Sequence, residues 1–290
     1  MSSSNCLVVI VTHNSERHID WVLEGLENSN SRIEIKIVDS GSIETTYLSK
    51  LKSKHPISVV LQKNIGFVAA NNLAIQQAFG FEWILFLNPD ARIEGNSLDR
   101  LIAAGHLHEK VGIFSLPLVR YDINKRKSLA VYDSLGISCN PIGRWQDIGS
   151  GAPVIKNPPP QKIEAICGAL MLARVSALNA CRNTENSIGF EPKLLMYKED
   201  IELSLRLKRN GYSLFIDYSD FAYHCRGWNT DRSKTPKWAK WLSARNDLYL
   251  ASKYKIRALP FALSKLAWVA LIERSRKDSL GNFLKNKTAQ

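Results

Sequence analysis

The sequence predicts an α/β fold built on a mostly parallel, doubly wound sheet. Three observations predict it. Apolar, β-branched runs alternate with amphipathic segments between Cys6 and Asp90. These runs are apolar throughout rather than at every second residue, as strands covered on both faces are. Polar residues gather just after each run, where open α/β sheets bind their ligands.

The elements follow in order. Cys6–Val11 reads as the first strand, and Ser15–Glu27 as a helix through Ile19, Val22, Leu23 and Leu26. Ile33–Val38 is the second strand, ending at Asp39, with a helix expected over Ile43–Lys54. Ile57–Leu61 is the third strand, Asn64–Gly66 a turn, and Phe67–Phe79 a helix. Trp83–Leu87 is the fourth strand and runs into Asn88-Pro89-Asp90. The region 115–160 is rich in Gly, Pro, Asn and Ser, and predicts loops and irregular structure with the character of a flexible lid. Order resumes at Ile163–Ala173, then a helical run Glu199–Asn210 and short strands at Ser213–Asp217 and Phe221–His224. From Lys237 the chain predicts an amphipathic helical tail broken at Pro260.

Composition narrows the class. With 45% hydrophobic and 23% charged residues, the 290-residue chain can build a full core. Its five cysteines form no C-x-x-C pair, so the sequence suggests neither a zinc site nor a disulfide frame, and a cytoplasmic setting fits. The apolar run near Met1 lacks a basic leader and is too short for a signal peptide. No stretch reaches the ~20 apolar residues that span a bilayer. The net charge of +12 is concentrated at one end. From Arg226 to Gln290 there are 15 Lys+Arg against 4 Asp+Glu, which leaves only +1 for the first 225 residues.

The strand ends carry the candidate chemistry. They present Thr12, His13 and Asn14; Asp39 and Gly41; Asn64 and Gly66; and Asn88 and Asp90. Neither G-x-G-x-x-G nor a Walker loop follows the first strand, so the usual glycine cradles for phosphate are missing. A diphosphate held without a cradle calls for a divalent metal, and Asp90 is a carboxylate suited to one. Asn-Pro-Asp is equally good turn chemistry. Glu199, Asp200 and Glu202 open a helix, where acids favour the dipole; Glu199 and Asp200 also suit a general base. His224 ends a strand and is a metal candidate only if the fold brings it to Asp90.

The ordered segments VVIVTHN (8–14), IKIVDSGS (35–42), NIGFVAANNLAI (64–75), ILFLNPDARI (84–93), CGALMLARVSAL (167–178) and GFEPKLLMYKEDIELSLRLKRNGY (189–212), then AYH (222–224), cover most of residues 6–225. In that order and spacing the chain resembles family 2 inverting glycosyltransferases of the GT-A fold, and within them the rhamnosyltransferase-like enzymes of bacterial surface-polysaccharide synthesis. The resemblance implies a Rossmann-like sheet with flanking helices. It implies a catalytic domain over 1–225, with a nucleotide-sugar half to about 115 and an acceptor half over 116–225, followed by a basic helical segment over 226–290.

Position by position, Thr12 and Asp39 match residues at the base and ribose, with His13, Asn14 and Gly41 beside them. Asn64 and Gly66 match the loop that closes on the nucleotide. Asn88-Pro89-Asp90 takes the D-x-D place, with Asn88 where the first aspartate usually stands. Asp90 and His224 match metal ligands, so Mg²⁺ or Mn²⁺ is implied. Asp200 matches the catalytic base, with Glu199 beside it. Gly168, Ala169 and Tyr197 match the pocket for donor sugar and acceptor. Ser40 stands where the family usually has Asn. The implied donor is dTDP-rhamnose, with a UDP-hexose or UDP-N-acetylhexosamine as the alternative; the implied acceptor is a glycan or lipid-linked glycan.

The tail allows two readings. Ile256–Glu273 is apolar on one face, and Lys253, Lys255, Arg257, Arg274, Arg276 and Lys277 flank it. Such a helix can lie on an anionic membrane, here the inner face of the cytoplasmic membrane. The other reading packs it on the catalytic domain or in a homo-oligomer interface. Four of seven tryptophans fall in this basic segment, but no nucleic-acid-binding module accompanies them, so nucleic acid is not an expected partner. A binding protein without catalysis is the remaining alternative of another class.

Overall fold

The computed structural model describes residues 5–76, 78, 80–226 and 235–273. Strands β1 (Asn5–Thr12), β2 (Arg32–Ser40), β3 (Ile57–Gln62) and β4 (Trp83–Leu87) fall where the apolar runs predict them. Short β5 (Ala91–Arg92) follows, then β6 (Val111–Ser115), β7 (Leu118–Asp122), β8 (Lys127–Ser134), β9 (Ile137–Cys139), β10 (Trp145–Asp147), β11 (Leu170–Arg174), β12 (Ser213–Ile216) and β13 (Ala222–His224). The helices are α1 (Ile19–Glu24), α2 (Phe67–Ile75), α3 (Gly95–Leu107), α4 (Val175–Ala180), α5 (Glu199–Arg209), α6 (Lys237–Tyr254) and α7 (Leu259–Leu271).

Seven strands form the main sheet in the order β12-β6-β11-β4-β1-β2-β3, and β11 alone runs against the rest. Alternation along β1 explains the two cores. Cys6, Val8 and Ile10 meet Ile19, Val22 and Leu23 of α1 and Leu98, Leu101 and Ile102 of α3 on one face. Leu7, Val9 and Val11 meet Val68, Ala74 and Ile75 of α2 and Leu203 and Leu207 of α5 on the other. Each large apolar side chain buried in this way stabilises the fold by about 1.5–3 kcal/mol. Burial on both faces is why these strands read as unbroken apolar runs.

Four expectations are corrected. The helix expected over Ile43–Lys54 is one 3₁₀ turn, Thr46–Lys50. Leu48 is its one buried residue, with Tyr47 and Leu51 packed beside it, while Ile43 is 93% exposed, so the apolar stripe is too short to hold a longer helix. The helix expected over Ser15–Glu27 shrinks to α1, and the one expected over Phe67–Phe79 ends at Ile75 within the described residues. The region 115–160 is irregular only in part: residues 118–147 carry β7 to β10, and 148–160 hold turns without a named strand or helix. Its turn-forming residues punctuate short strands, with Gly136 and Gly143 at φ 105° and 94°. In place of a lid, β7 and β8 join β5 and β13 in a second sheet of order β5-β13-β7-β8.

The tail is helical as expected, with Pro260 in the first turn of α7, where a missing N–H costs nothing. No helix among the described residues is long and apolar enough to cross a membrane. Trp228, Arg274, Arg276 and Lys277 lie outside the described residues.

Candidate active site

The carboxyl ends of β1, β2 and β4, with the loop after β3, border a cleft of about 420 Å³. His13, Asn14, Asn64, Gly66, Asn88 and Asp90 all line it. Thr12 and Asp39 lie beneath it, fully buried, and the Thr12 hydroxyl donates to Asp39 Oδ2 at 2.8 Å. The backbone N–H of Ser42 donates to Asp39 Oδ1 at 2.9 Å. These two residues therefore brace the cleft floor through each other.

Gly41 has a specific reason to be glycine. Its φ is +79°, and a Cβ there would sit 2.6 Å from the Asn64 backbone nitrogen. Ser40 joins the same contact: its hydroxyl accepts from the N–H groups of Ile65 and Gly66 at 3.1 and 3.2 Å. A short hydroxyl thus ties the end of β2 to the loop that opens α2.

The second sheet delivers His224. β13 pairs with β5 so that His224 lies opposite Ala91, next to Asp90. The condition set by the sequence is met: His224 Nε2 lies 3.3 Å from Asp90 Oδ1. His224 Nδ1 is 2.8 Å from Asp133 Oδ2, and Arg226 Nη1 donates to Asp133 Oδ1 at 2.6 Å. Arg226 Nη2 also reaches Asp147 Oδ2 at 3.0 Å. Burial opposes the imidazolium, but the bonds to Asp133 and Asp90 prevail and raise His224 to about 9. Burial would raise Asp90, yet the hydrogen bond and charge of His224 hold it below the usual carboxylate range.

No group of three or more His, Cys, Asp or Glu side chains among the described residues is arranged to hold a metal ion. Asp90 and His224 are a donor pair, however. With Nδ1 facing Asp133, His224 presents Nε2 to Asp90, the orientation a metal-binding histidine takes from an outer carboxylate. Two such donors suit a cation that keeps water and phosphate oxygens as its other ligands.

The third group comes from the start of α5. Asp200 Oδ2 accepts the Gly168 N–H and Oδ1 its neighbour Ile201's N–H, both at 2.8 Å. Ala169 in turn accepts the Asn88 N–H at 3.0 Å, so the Asp200 carboxylate and Asp90 flank one backbone junction. A Cβ on Gly168 would meet Asp200 Cβ at 3.0 Å, so this approach needs a small residue. Burial raises Asp200 to about 6, against its two backbone hydrogen bonds. Glu199 is pushed to about 8 by burial and then by the charge of Asp200, and its Oε2 has no hydrogen-bond partner. The mutual repulsion disfavours ionising both carboxyls, and the two backbone N–H groups on Asp200 favour the charge there. Leu195, Tyr197 and Lys198 precede them with φ of 59°, 68° and 67°, a run of left-handed backbone costing about 1–3 kcal/mol per residue.

Asp133, on β8, carries no local signal, because it lies among turn-forming residues and bonds to a residue far along the chain. His18 and Trp238 also line the cleft without a sequence signal, and Met196 lines it from the segment that leads into Glu199 and Asp200. Trp238 lies in the basic tail, and no local spacing ties it to the strand ends.

Residues 7–177 match the glycosyl transferase family 2. The chain belongs to this family. As a family 2 glycosyltransferase it is 22% identical over 240 residues to the N-acetylglucosaminyl-diphospho-decaprenol L-rhamnosyltransferase of Mycobacterium tuberculosis, covering 75% of each chain. Among solved structures it resembles residues 1–349 of S. aureus TarS in complex with UDP-GlcNAc, at 18% identity and TM-score 0.55, over 91% of this chain and 70% of that one. It also resembles the mannosyltransferase PcManGT of Pyrobaculum calidifontis in complex with GDP-Man and Mn²⁺, at 15% identity and TM-score 0.56, over 98% and 75%. GalNAc-T7 with UDP, GalNAc and Mn²⁺ gives a TM-score of 0.61 at 15% identity, over 93% of this chain and 56% of that one. These likenesses establish the GT-A fold, with its mostly parallel sheet and flanking helices.

Proposed function

We propose that this glycosyltransferase moves L-rhamnose from dTDP-rhamnose to a lipid-linked glycan, with inversion at the anomeric carbon and with Asp200 as the base. The observation that carries the chemistry is the placement of Asp90 and His224 on one side of the Asn88–Ala169 junction and Asp200 on the other. One side suits a diphosphate and the other an acceptor hydroxyl. The rhamnose and lipid-linked assignments rest on the mycobacterial relative, whose name specifies both.

In the proposed reaction the acceptor oxygen attacks the anomeric carbon as its proton passes to Asp200. The bond from that carbon to the diphosphate oxygen breaks, and the nucleoside diphosphate leaves with the electron pair. Glu199 retains its proton beside Asp200, which leaves a single carboxylate to act as base. Asn14, Asn64 and the N–H end of α2 border the nucleotide part of the cleft. Asp90 and His224 would hold a Mg²⁺ or Mn²⁺ ion, which when bound neutralises charge on the diphosphate.

The same reading places the enzyme at a membrane surface. The inward side of α7 is small, with Ala262 and Val269 buried against the protein. Leu263, Trp268, Leu271 and Ile272 are 53%, 56%, 74% and 62% exposed, and together they cover the half of the helix turned away from Ala262 and Val269. The described part of the protein leaves this face uncovered, and residues 274–290 add five Lys+Arg against one Asp. An apolar face followed by cations suits an anionic lipid surface, where a lipid-linked acceptor resides.

A thermal-shift screen of nucleotide sugars with Mn²⁺ tests the donor, because a ligand stabilises according to its affinity. dTDP-rhamnose is expected to raise the melting temperature more than UDP-GlcNAc or GDP-mannose. A larger shift with either of those two overturns the rhamnose assignment.

A further inference from the structure

We propose that Asn246 on α6 is a positioning residue for Asp200: its side-chain amide clamps the strained loop that aims the base. The inference rests on Asp200 being the base. It assigns part of the catalytic geometry to a helix beyond the span matched to the family.

The loop from Leu194 to Lys198 is the point of leverage. Three of its residues hold left-handed backbone without being glycine, a conformation that relaxes unless neighbouring structure imposes it. Asn246 is fully buried, and its Nδ2 donates to the carbonyls of Leu194, Met196 and Tyr197 at 3.0, 2.8 and 2.8 Å. Arg245 fixes which end of the amide faces them: its Nε and Nη2 donate to Asn246 Oδ1 at 3.1 and 3.0 Å. One amide, its two N–H groups shared among three carbonyls, therefore gathers the loop; the Leu194 carbonyl also accepts the Met196 N–H at 2.6 Å.

The loop ends where the catalytic helix begins. The Lys198 carbonyl accepts the Glu202 N–H at 2.9 Å, so rotation at Tyr197 or Lys198 redirects the first turn of α5 and Asp200 with it. Asp247, next to Asn246, supplies a second strut. Lys198 Nζ lies 2.8 Å from Asp247 Oδ1, and Lys265 of α7 lies 2.6 Å from Oδ2. The fastening runs from α7 through α6 to the residue preceding Glu199 and Asp200.

A lost clamp should misplace the base more than it disturbs the nucleotide cleft, which the strand ends build and to which the clamped loop contributes Met196. The test measures kcat and KM of full-length Asn246→Ala and Asp247→Asn with dTDP-rhamnose and a GlcNAc-diphospho-lipid acceptor, together with dTDP affinity by titration calorimetry and hydrogen exchange over residues 195–200. Both variants are expected to lose 10- to 100-fold in kcat, since a displacement near 1 Å costs about that much. Donor KM and dTDP affinity should stay within about twofold, and exchange over 195–200 should quicken. A folded Asn246→Ala enzyme with kcat within twofold of wild type overturns the inference, as does a parallel loss of kcat and dTDP affinity. If Asn246→Ala does not fold, Asp247→Asn decides: unchanged kcat and exchange overturn the clamp. Loss in Asp200→Asn with normal turnover in the clamp variants removes this inference alone, whereas normal turnover in Asp200→Asn removes the base assignment beneath it.

Discussion

His224 Nδ1 lies 2.8 Å from Asp133 Oδ2, and that contact turns Nε2 of the same ring to within 3.3 Å of Asp90. Asp133→Asn keeps the shape and removes the charge that orients the ring. Its Mn²⁺ affinity, read from water-proton relaxation, is expected to fall about 10- to 100-fold. His224→Ala should lose at least as much, and chelation with EDTA should abolish transfer by the wild type. Unchanged Mn²⁺ affinity in His224→Ala, or full turnover in EDTA, contradicts the metal assignment.

The raised Glu199 carboxyl gives stability a definite pH dependence. Its folded value of about 8 exceeds the ordinary 4.5, so between these limits the folded state holds a proton that the unfolded chain releases. The contribution is complete below about 4.5 and disappears as pH rises to about 8. Wild type is therefore expected to lose stability across that window, and Glu199→Gln to lose less. Urea denaturation at several pH values checks the difference; parallel curves for the two proteins contradict it.

Gly41 holds the floor of the nucleotide cleft by lacking a side chain. Gly41→Ala must accommodate φ +79° and a 2.6 Å approach to the Asn64 backbone. It should destabilise the fold by about 1–3 kcal/mol and weaken dTDP binding, because the displaced loop carries Asn64 and Gly66. Thermal unfolding with a dTDP titration measures both, and intact binding shows that the loop does not shape the site.

The exposed face of α7 can be tested apart from catalysis. Replacing Leu263, Trp268 and Leu271 with serine should reduce flotation with phosphatidylglycerol liposomes. Turnover of a water-soluble acceptor should be retained. Flotation equal to wild type contradicts the membrane assignment, and a change from dimer to monomer in sedimentation favours the interface reading.

Local pattern made the nucleotide half readable. β1 to β4 are short apolar runs with polar ends, and position in an α/β sheet alone directs attention to His13, Asn64 and Asp90. Asp90 and His224 were separately visible, but nothing in the spacing of the chain joins them; the pairing of β13 with β5 does. Asp133 escaped notice because glycine and proline between β7 and β10 resemble loop composition, although they mark the turns of short strands. Asn246 and Trp238 were hidden for another reason. α6 reads as a basic tail helix, and its contacts with the loop before Asp200 depend on how the whole chain folds back.

The base assignment is tested most directly by the pH dependence of transfer in wild type and Asp200→Asn, with donor binding measured alongside. Wild-type kcat/KM should fall as pH drops through about 6, where burial places the Asp200 carboxyl. Asp200→Asn should lose about 10²- to 10⁴-fold in turnover at every pH while binding dTDP-rhamnose as before. Wild-type turnover in Asp200→Asn with donor binding intact would contradict the account.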